Sequence, residues 1–358
     1  MIGRDQEFTV KQKLGACIYD LPNFLWEMRP SSSSPWIRIR NRDESLLPGK
    51  NNLGVECGWR WTTDLHIAKV FPRTGLWLMK RALRDWPIEL RPEPAVETRE
   101  TSPVVSFIIG HRGTERLPHL LATLGSIAAQ VEIPCECILI EQSNNADVKD
   151  QLPSWVNYIH TLLPYSDMPY SRAWAFNVGA RAARGEILVF HDNDMLAPVD
   201  YAREIVARAK EGYEVINLKR FIFYFGQSDS SRLFATGALE TEAGMAAIMQ
   251  NAFGGSVAVL RSAFFSIGGF DESFAGWGGE DNELWERAAT RACWPYGYLP
   301  FVHVWHAPQT EKLNTMRPTV SLYEERSAIP PAERIAELSA REFGDTTAPH
   351  ERSFARMT

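Results

Sequence analysis

No stretch of the 358-residue chain is apolar for the roughly 18 residues needed to cross a bilayer. Its start, MIGRDQEFTV, has no apolar segment of secretory type, so the expected location is the cytoplasm, with the inner membrane face as a peripheral option. There is no internal repeat, and SSSS at 31–34 is the one low-complexity patch. Cysteine is scarce. The five present are an odd number at spacings that fit neither a disulfide framework nor a zinc ribbon, and they read as reduced thiols. Basic charge is not in excess either: the net charge is −6. Residues 1–100 hold 16 Lys and Arg against 13 Asp and Glu, and the remainder 22 against 31. An acidic second part argues against a nucleic-acid groove there and is compatible with carboxylates gathered around a metal.

What is present is ordinary globular material, 45% hydrophobic and 23% charged, enough for one large domain or two smaller ones. RPEPAVETRETSP, residues 91–103, combines three prolines with alternating charge and reads as a linker. It separates a tryptophan-rich N-terminal extension, 1–90, from a segment where strands and helices alternate. VVSFII (104–109), CILI (137–140), Tyr158–Leu162, EILVF (186–190) and EVINL (214–218) read as strands, with Gly110–Glu115 as a loop. Apolar residues at helical spacing from Leu117, Ser171–Ala183 and about Pro198–Lys210 read as helices. Such alternation implies an α/β fold with a mostly parallel sheet covered on both faces. Ligands of such sheets bind at the carboxyl ends of the strands.

Three constellations fall near such ends. ILVF runs into His191-Asp192-Asn193-Asp194, which reads either as a side-chain-capped turn or as a carboxylate pair for a hard divalent ion. FVHVWHAP carries His303 and His306. In a fully extended chain only one would face the site, whereas a tight turn would bring both, and imidazole ligands would favour manganese over magnesium. FAGWGGEDNELWER surrounds Trp277 with Gly276, Gly278 and Gly279 and then starts a helix at Glu280-Asp281-Asn282. Acids in a first helical turn are favoured by the dipole alone. Helical spacing to Leu284, Trp285 and Ala288 puts Asp281 on the buried flank with Glu280 beside it, where desolvation would make Asp281 a better general base.

The series VSFIIGHR, YSRAWAFNVGA, FHDND, FGGSVAVL, GGFDESFAGWGGEDNELWER and HVWH, spanning about residues 103–310, resembles beta-1,4-galactosyltransferases and bacterial glycosyltransferase family 2 enzymes. The resemblance implies a GT-A (nucleotide-diphospho-sugar transferase) fold over a catalytic domain at 104–310, with a lid loop and C-terminal tail at 311–358. It implies inverting, divalent-metal-dependent transfer from a UDP-sugar to a glycan or lipid-linked saccharide, with Mn2+ expected and Mg2+ the alternative. Galactose or an N-acetylhexosamine is the sugar to expect. Asp192 and Asp194 match the Asp-x-Asp pair and His306 the metal histidine. His303 stands where the animal enzymes have a methionine ligand. Asp281 matches the catalytic base, Glu280 the sugar-orienting acid and Trp277 the sugar platform, flanked by Gly278 and Gly279. Asn282 replaces a further acid. Arg112, Arg116, Gln142, Tyr170 and Arg172 match positions around the nucleotide. APQTEKLNTMRPTVSL, 307–322, matches a lid that orders on donor binding.

No resemblance covers the first hundred residues. Within 59–86, Gly75–Trp86 could be an amphipathic helix for a membrane surface, or its tryptophans could pack on the catalytic domain. A nucleotidyltransferase, or a non-catalytic glycan-binding protein on the same fold, are the rival functional readings.

Overall fold

The structure is a computed structural model that describes residues 8–28, 45–48, 55–58, 67–96, 102–239, 247–250, 252–307 and 318–349. The SSSS patch, residues 59–66 of the tryptophan-rich stretch, linker residues 97–101 and lid residues 308–317 lie outside the described residues.

The extension opens with α1 (Val10–Tyr19) and α2 (Leu21–Glu27), continues through a β1 (Ser45–Pro48)–β2 (Val55–Gly58) hairpin, and ends in α3 (Ile67–Val70) and α4 (Pro72–Asp85). A Thr9–Gln12 capping box starts α1, and Asp20 at its end accepts the Ile67 N–H at 2.5 Å, tying α1 to α3. The membrane-surface reading took Gly75–Trp86 as an amphipathic helix, and the rival reading packed its tryptophans on the catalytic domain. The apolar face of α4 is turned inward: Leu78, Met79 and Ala82 are buried, and Trp86 just beyond it packs near Tyr298. Trp77 is exposed, edge-on to Phe24.

The strand–helix alternation then follows as β3 (Val105–His111), α5 (Leu117–Ala128), β4 (Cys135–Gln142), β5 (Val156–Thr161), α6 (Arg172–Ala182), β6 (Ile187–His191), β7 (Met195–Leu196) and α7 (Tyr201–Lys210). After it come β8 (Val215–Ile216), β9 (Lys219–Tyr224), α8 (Gln227–Thr236), β10 (Ala247–Gln250), β11 (Ser256–Leu260), α9 (Arg261–Ser266), α10 (Glu280–Ala288), β12 (Cys293–Trp294) and β13 (Leu299–His303). The chain closes with α11 (Pro318–Ser327) and α12 (Pro331–Ser339). The central sheet has the order β12-β8-β11-β6-β3-β4-β5 and is parallel except for β11. A second sheet, β10-β9-β13-β7, lies alongside.

Two expectations shift. Gly110 and His111 belong to β3, so the loop begins at Arg112, and EVINL shortens to the two-residue β8. The described part of the segment expected as a lid and tail contains the two helices α11 and α12, packed against α10.

Period-two alternation in β3 sends Phe107 and Ile109 to one face and Ile108 to the other. The first face joins Phe24, Leu78, Met79 and Trp86 of the extension to α5, α7 and the second sheet in one apolar cluster. The second face packs α6, α9 and α10 through Trp174, Phe176, Phe264 and Leu284. The described helices of the extension are therefore built into the main core. Among the described residues Cys17, Cys135, Cys137 and Cys293 are free thiols, and no helix is long and apolar enough to cross a membrane. Leu78→Ala should cost about 2–5 kcal/mol, the range for a truncated core leucine. Calorimetry should show one transition moved to lower Tm; a separate early transition would mean that the extension unfolds by itself.

Candidate active site

Three parallel strands, β3, β4 and β6, end at the same edge, and the chain leaving each carries a candidate residue. β6 ends in a turn that does not continue the strand, and this turn separates its two acids. Asp194 is nearly buried, and its Oδ2 lies 3.3 Å from His306 Nε2 and 3.1 Å from Arg116 Nη1. Its Oδ1 lies 3.5 Å from His303 Nε2. Burial pushes this carboxyl up, but His303, His306 and Arg116 more than reverse the effect and hold it well below the usual range. The two histidines converge because β13 stops at His303 and the chain beyond it is irregular, so extended-strand geometry does not apply to His306. Among the described residues, Asp194, His303 and His306 bring one ligand atom each to within 4.8 Å of one another.

Asp192 is not part of that group. It faces Arg172, whose Nη2 approaches Asp192 Oδ1 at 2.7 Å while Nη1 reaches Asp281 Oδ1 at 2.5 Å and Glu280 Oε1 at 3.3 Å. Arg172 is the first residue of α6, capped by the Ser171 hydroxyl, where the helix dipole opposes a cation. Burial also works against its charge, but Asp192, Asp281 and Glu280 outweigh both. Burial raises Asp192 to about 6 despite Arg172, and raises Glu280 to about 7, with the Asp281 charge adding to that shift.

The expected placement of the two acids on α10 is reversed. Glu280 is the buried one, its side chain 10% exposed against 28% for Asp281. The cause is the helix's true inward face, Glu280-Glu283-Leu284-Arg287-Ala288, which the apolar stripe alone did not reveal because an ion pair occupies half of it. Asn282 is exposed. Gly276, Gly278 and Gly279 have φ of +99°, +101° and +92°, a backbone that only glycine adopts cheaply, and Trp277 between them is 40% exposed.

Arg112 leaves β3 to donate to the Gln142 and Met168 carbonyls and lies 5.5 Å from the centre of the Tyr170 ring. Gln142 is fully buried, and its amide joins the end of β4 to both the N–H and the carbonyl of Ser171. The site residues thus come together as two neighbouring groups, Asp194–His303–His306–Arg116 and Arg172–Asp192–Glu280–Asp281, with Arg112, Gln142 and Tyr170 on the β3–β4 side.

A family model described as glycosyltransferase-like family 2 matches residues 106–295, more than half of the chain. The chain belongs to that family. It is 33% identical over 124 residues to beta-1,4-galactosyltransferase 5 of Sus scrofa, covering 33% of this chain and 26% of that protein. It is 26% identical over 233 residues to validoxylamine A glucosyltransferase of Streptomyces hygroscopicus subsp. limoneus, covering 56% of this chain and 51% of that protein. The chain thus spans about a quarter to half the length of these curated relatives. A crystal structure of GalNAc-T7 with UDP, GalNAc and Mn2+ superposes with a TM-score of 0.45 at 17% identity, over 68% of this chain and 51% of that one.

Two residues of this family member escaped the sequence, and the role of a third was not legible there. Lys219 is buried, donates to Asn217 Oδ1 at 2.7 Å and to the Ser256 carbonyl, and is pushed down to about 7 by burial, opposed by Asp281 and Asp192. Tyr224 stacks on His303 with ring centres 4.5 Å apart. At Gly254 an added Cβ would come within 2.5 Å of Asp281 Oδ2. The FGGS motif marked that glycine without showing what it avoids; no local signal marked the other two.

A carboxyl raised in the fold binds more protons there than in the unfolded chain, so Glu280 contributes stability that is full below 4.5 and lost as pH rises towards 7. Glu280→Gln should flatten that fall, which amounts to about 3 kcal/mol. Thermal denaturation of both proteins from pH 4.5 to 7.5 measures it, and parallel Tm curves would contradict the assignment.

Proposed function

We propose that the chain is an inverting, divalent-cation-dependent glycosyltransferase that moves a hexose, galactose or an N-acetylhexosamine first, from a UDP-sugar to a glycan or lipid-linked hydroxyl. The observation that carries this reading is the pairing of two groups at one sheet edge. One is a carboxylate between two imidazoles, and the other is three carboxylates around a single guanidinium. Family membership and relatives named for galactosyl and glucosyl transfer support the same reading.

Asp194, His303 and His306 fit a divalent cation, and a donor set of two imidazoles and one carboxylate suits Mn2+ better than Mg2+. When bound there, such a cation would neutralise charge on the departing diphosphate. Asp192, kept at its post by Arg172, faces the donor. Arg112 and Arg116 supply guanidinium forks for the phosphates, and the Tyr170 ring supplies a face for the base.

Asp281 acts as the base because it is the acid at the helix start that solvent, and so an acceptor, can reach. Arg172 holds one of its oxygens and orients the carboxylate. The acceptor sugar packs on the exposed Trp277 indole, with Gly278 and Gly279 letting the backbone come close and Asn282 at the rim. As Asp281 takes the proton, the acceptor oxygen attacks the anomeric carbon from the face opposite the leaving diphosphate, and configuration inverts. Glu280, more than half protonated below its pKa near 7, orients the transferred sugar through hydrogen bonds.

Incubation with MnCl2, a panel of nucleotide sugars and saccharide acceptors should release UDP from one donor. Asp281→Asn should lower transfer by at least 100-fold while UDP binding stays within a few-fold, since general-base catalysis contributes about 10²–10⁴-fold. Asp194→Ala should weaken UDP binding measured in MnCl2. Release of pyrophosphate would identify a nucleotidyltransferase instead, and no turnover of any donor would identify a binding protein.

A further inference from the structure

Trp277 stands in a loop between three glycines. The glycines beside it contribute no side chain, and all three have left-handed φ. Its backbone is held from outside. The Gly276 N–H donates to the Tyr170 carbonyl at 2.9 Å, and the Thr319 hydroxyl, on the first turn of α11, donates to the Trp277 carbonyl at 2.6 Å. Thr319 is buried, and α11 lies so close that a Cβ on Gly279 would sit 3.0 Å from both the Thr319 carbonyl and Tyr323 Cβ.

The helix that supplies Thr319 is in turn fixed to the helix that carries Glu280 and Asp281. Tyr323 of α11 donates to Glu286 at 2.8 Å, and Arg334 of α12 reaches Glu286 at 2.7 Å and Glu283 at 3.1 Å. Glu283, Arg287 and Arg334 are all fully buried, so this junction is rigid and costly to disturb. Thr319, Tyr323 and Arg334 all lie beyond residue 295, where the family match ends.

We propose that the C-terminal helical pair is the positioning device for the acceptor platform, and that Thr319 is its contact residue, setting where the Trp277 indole stands relative to Asp281. The proposal rests on the reading of Trp277 as an acceptor platform. Thr319 acts on the platform through the Trp277 carbonyl.

The test compares Thr319→Val, which removes the donor at nearly constant shape, with Thr319→Ser, which retains it. Hydrogen exchange of the amides at 276–280 needs no substrate. The Val variant should exchange about tenfold faster there while the Ser variant matches the wild type, the size expected for one lost hydrogen bond. With the donor identified by the panel, the Val variant should show an acceptor KM about tenfold higher. UDP binding in MnCl2 and acceptor-independent hydrolysis of the donor should stay within twofold of the wild type, and the Ser variant should restore the KM. Wild-type exchange and wild-type KM in the Val variant would overturn the proposal. Equal damage in Val and Ser would also overturn it, since helix packing and not the hydroxyl would then be responsible. If the wild type releases no UDP from any donor, the functional reading fails, while the exchange data still decide whether Thr319 fixes the loop.

Discussion

One guanidinium shared among three carboxylates is the interaction on which the rest of the site depends. Arg172 opens α6 at the helix end where a cation is least welcome, and it is stable there because Asp192, Glu280 and Asp281 surround it. Those acids could not otherwise stand so close, since like charges in a desolvated site repel strongly. The same contact joins the turn after β6, the start of α6 and the start of α10, segments separated by up to 109 residues. The fold around it exists to bring these three ends to one edge. What results is an asymmetric set of acids: Glu280 deep, and Asp192 and Asp281 partly open to solvent on either side of the guanidinium.

A second electrostatic knot, Glu283–Arg287–Arg334–Glu286, lies further along the same helix, with Glu283 and Arg287 on the inward face that also carries Glu280. Buried ion pairs seldom contribute more than well-packed apolar groups would. Breaking one partner is costly, however, and this makes the knot a strict fastener for the orientation of the helix. Its position explains why α10 carries acids beyond its first residues: Glu280 and Asp281 belong to the site, and Glu283 and Glu286 to the contact with the C-terminal helices. In this protein the described residues after β13 are therefore part of the framework that holds α10.

Much of the architecture was legible because it follows from local patterns. Continuous β-branched runs gave the buried parallel strands, and helical spacing gave α5 and α6 within a residue or two. Strand-edge reasoning pointed to Asp192, Asp194 and the two histidines. The pattern failed where charges take apolar positions. On α10, Glu283 and Arg287 occupy inward positions as a pair, so an apolar stripe drawn through Leu284 and Ala288 pointed Asp281 inward when Glu280 is the buried acid. Lys219 was invisible for a similar reason: a lysine in a strand looks solvent-facing until the carbonyl and amide that bury it are seen.

The sequence by itself determined the family, the strand–helix alternation, the identities of the acids and imidazoles, and the need for glycine around Trp277, because these depend on residue type and short-range spacing. Only the tertiary structure decided the grouping. It separated Asp192 from Asp194, brought both His303 and His306 to one carboxylate, and built the described helices of the N-terminal extension into the core. It also set Thr319 against the Trp277 carbonyl across 42 residues of chain. Partners so distant along the chain leave no periodic trace in sequence, because what unites them is the packing of whole elements.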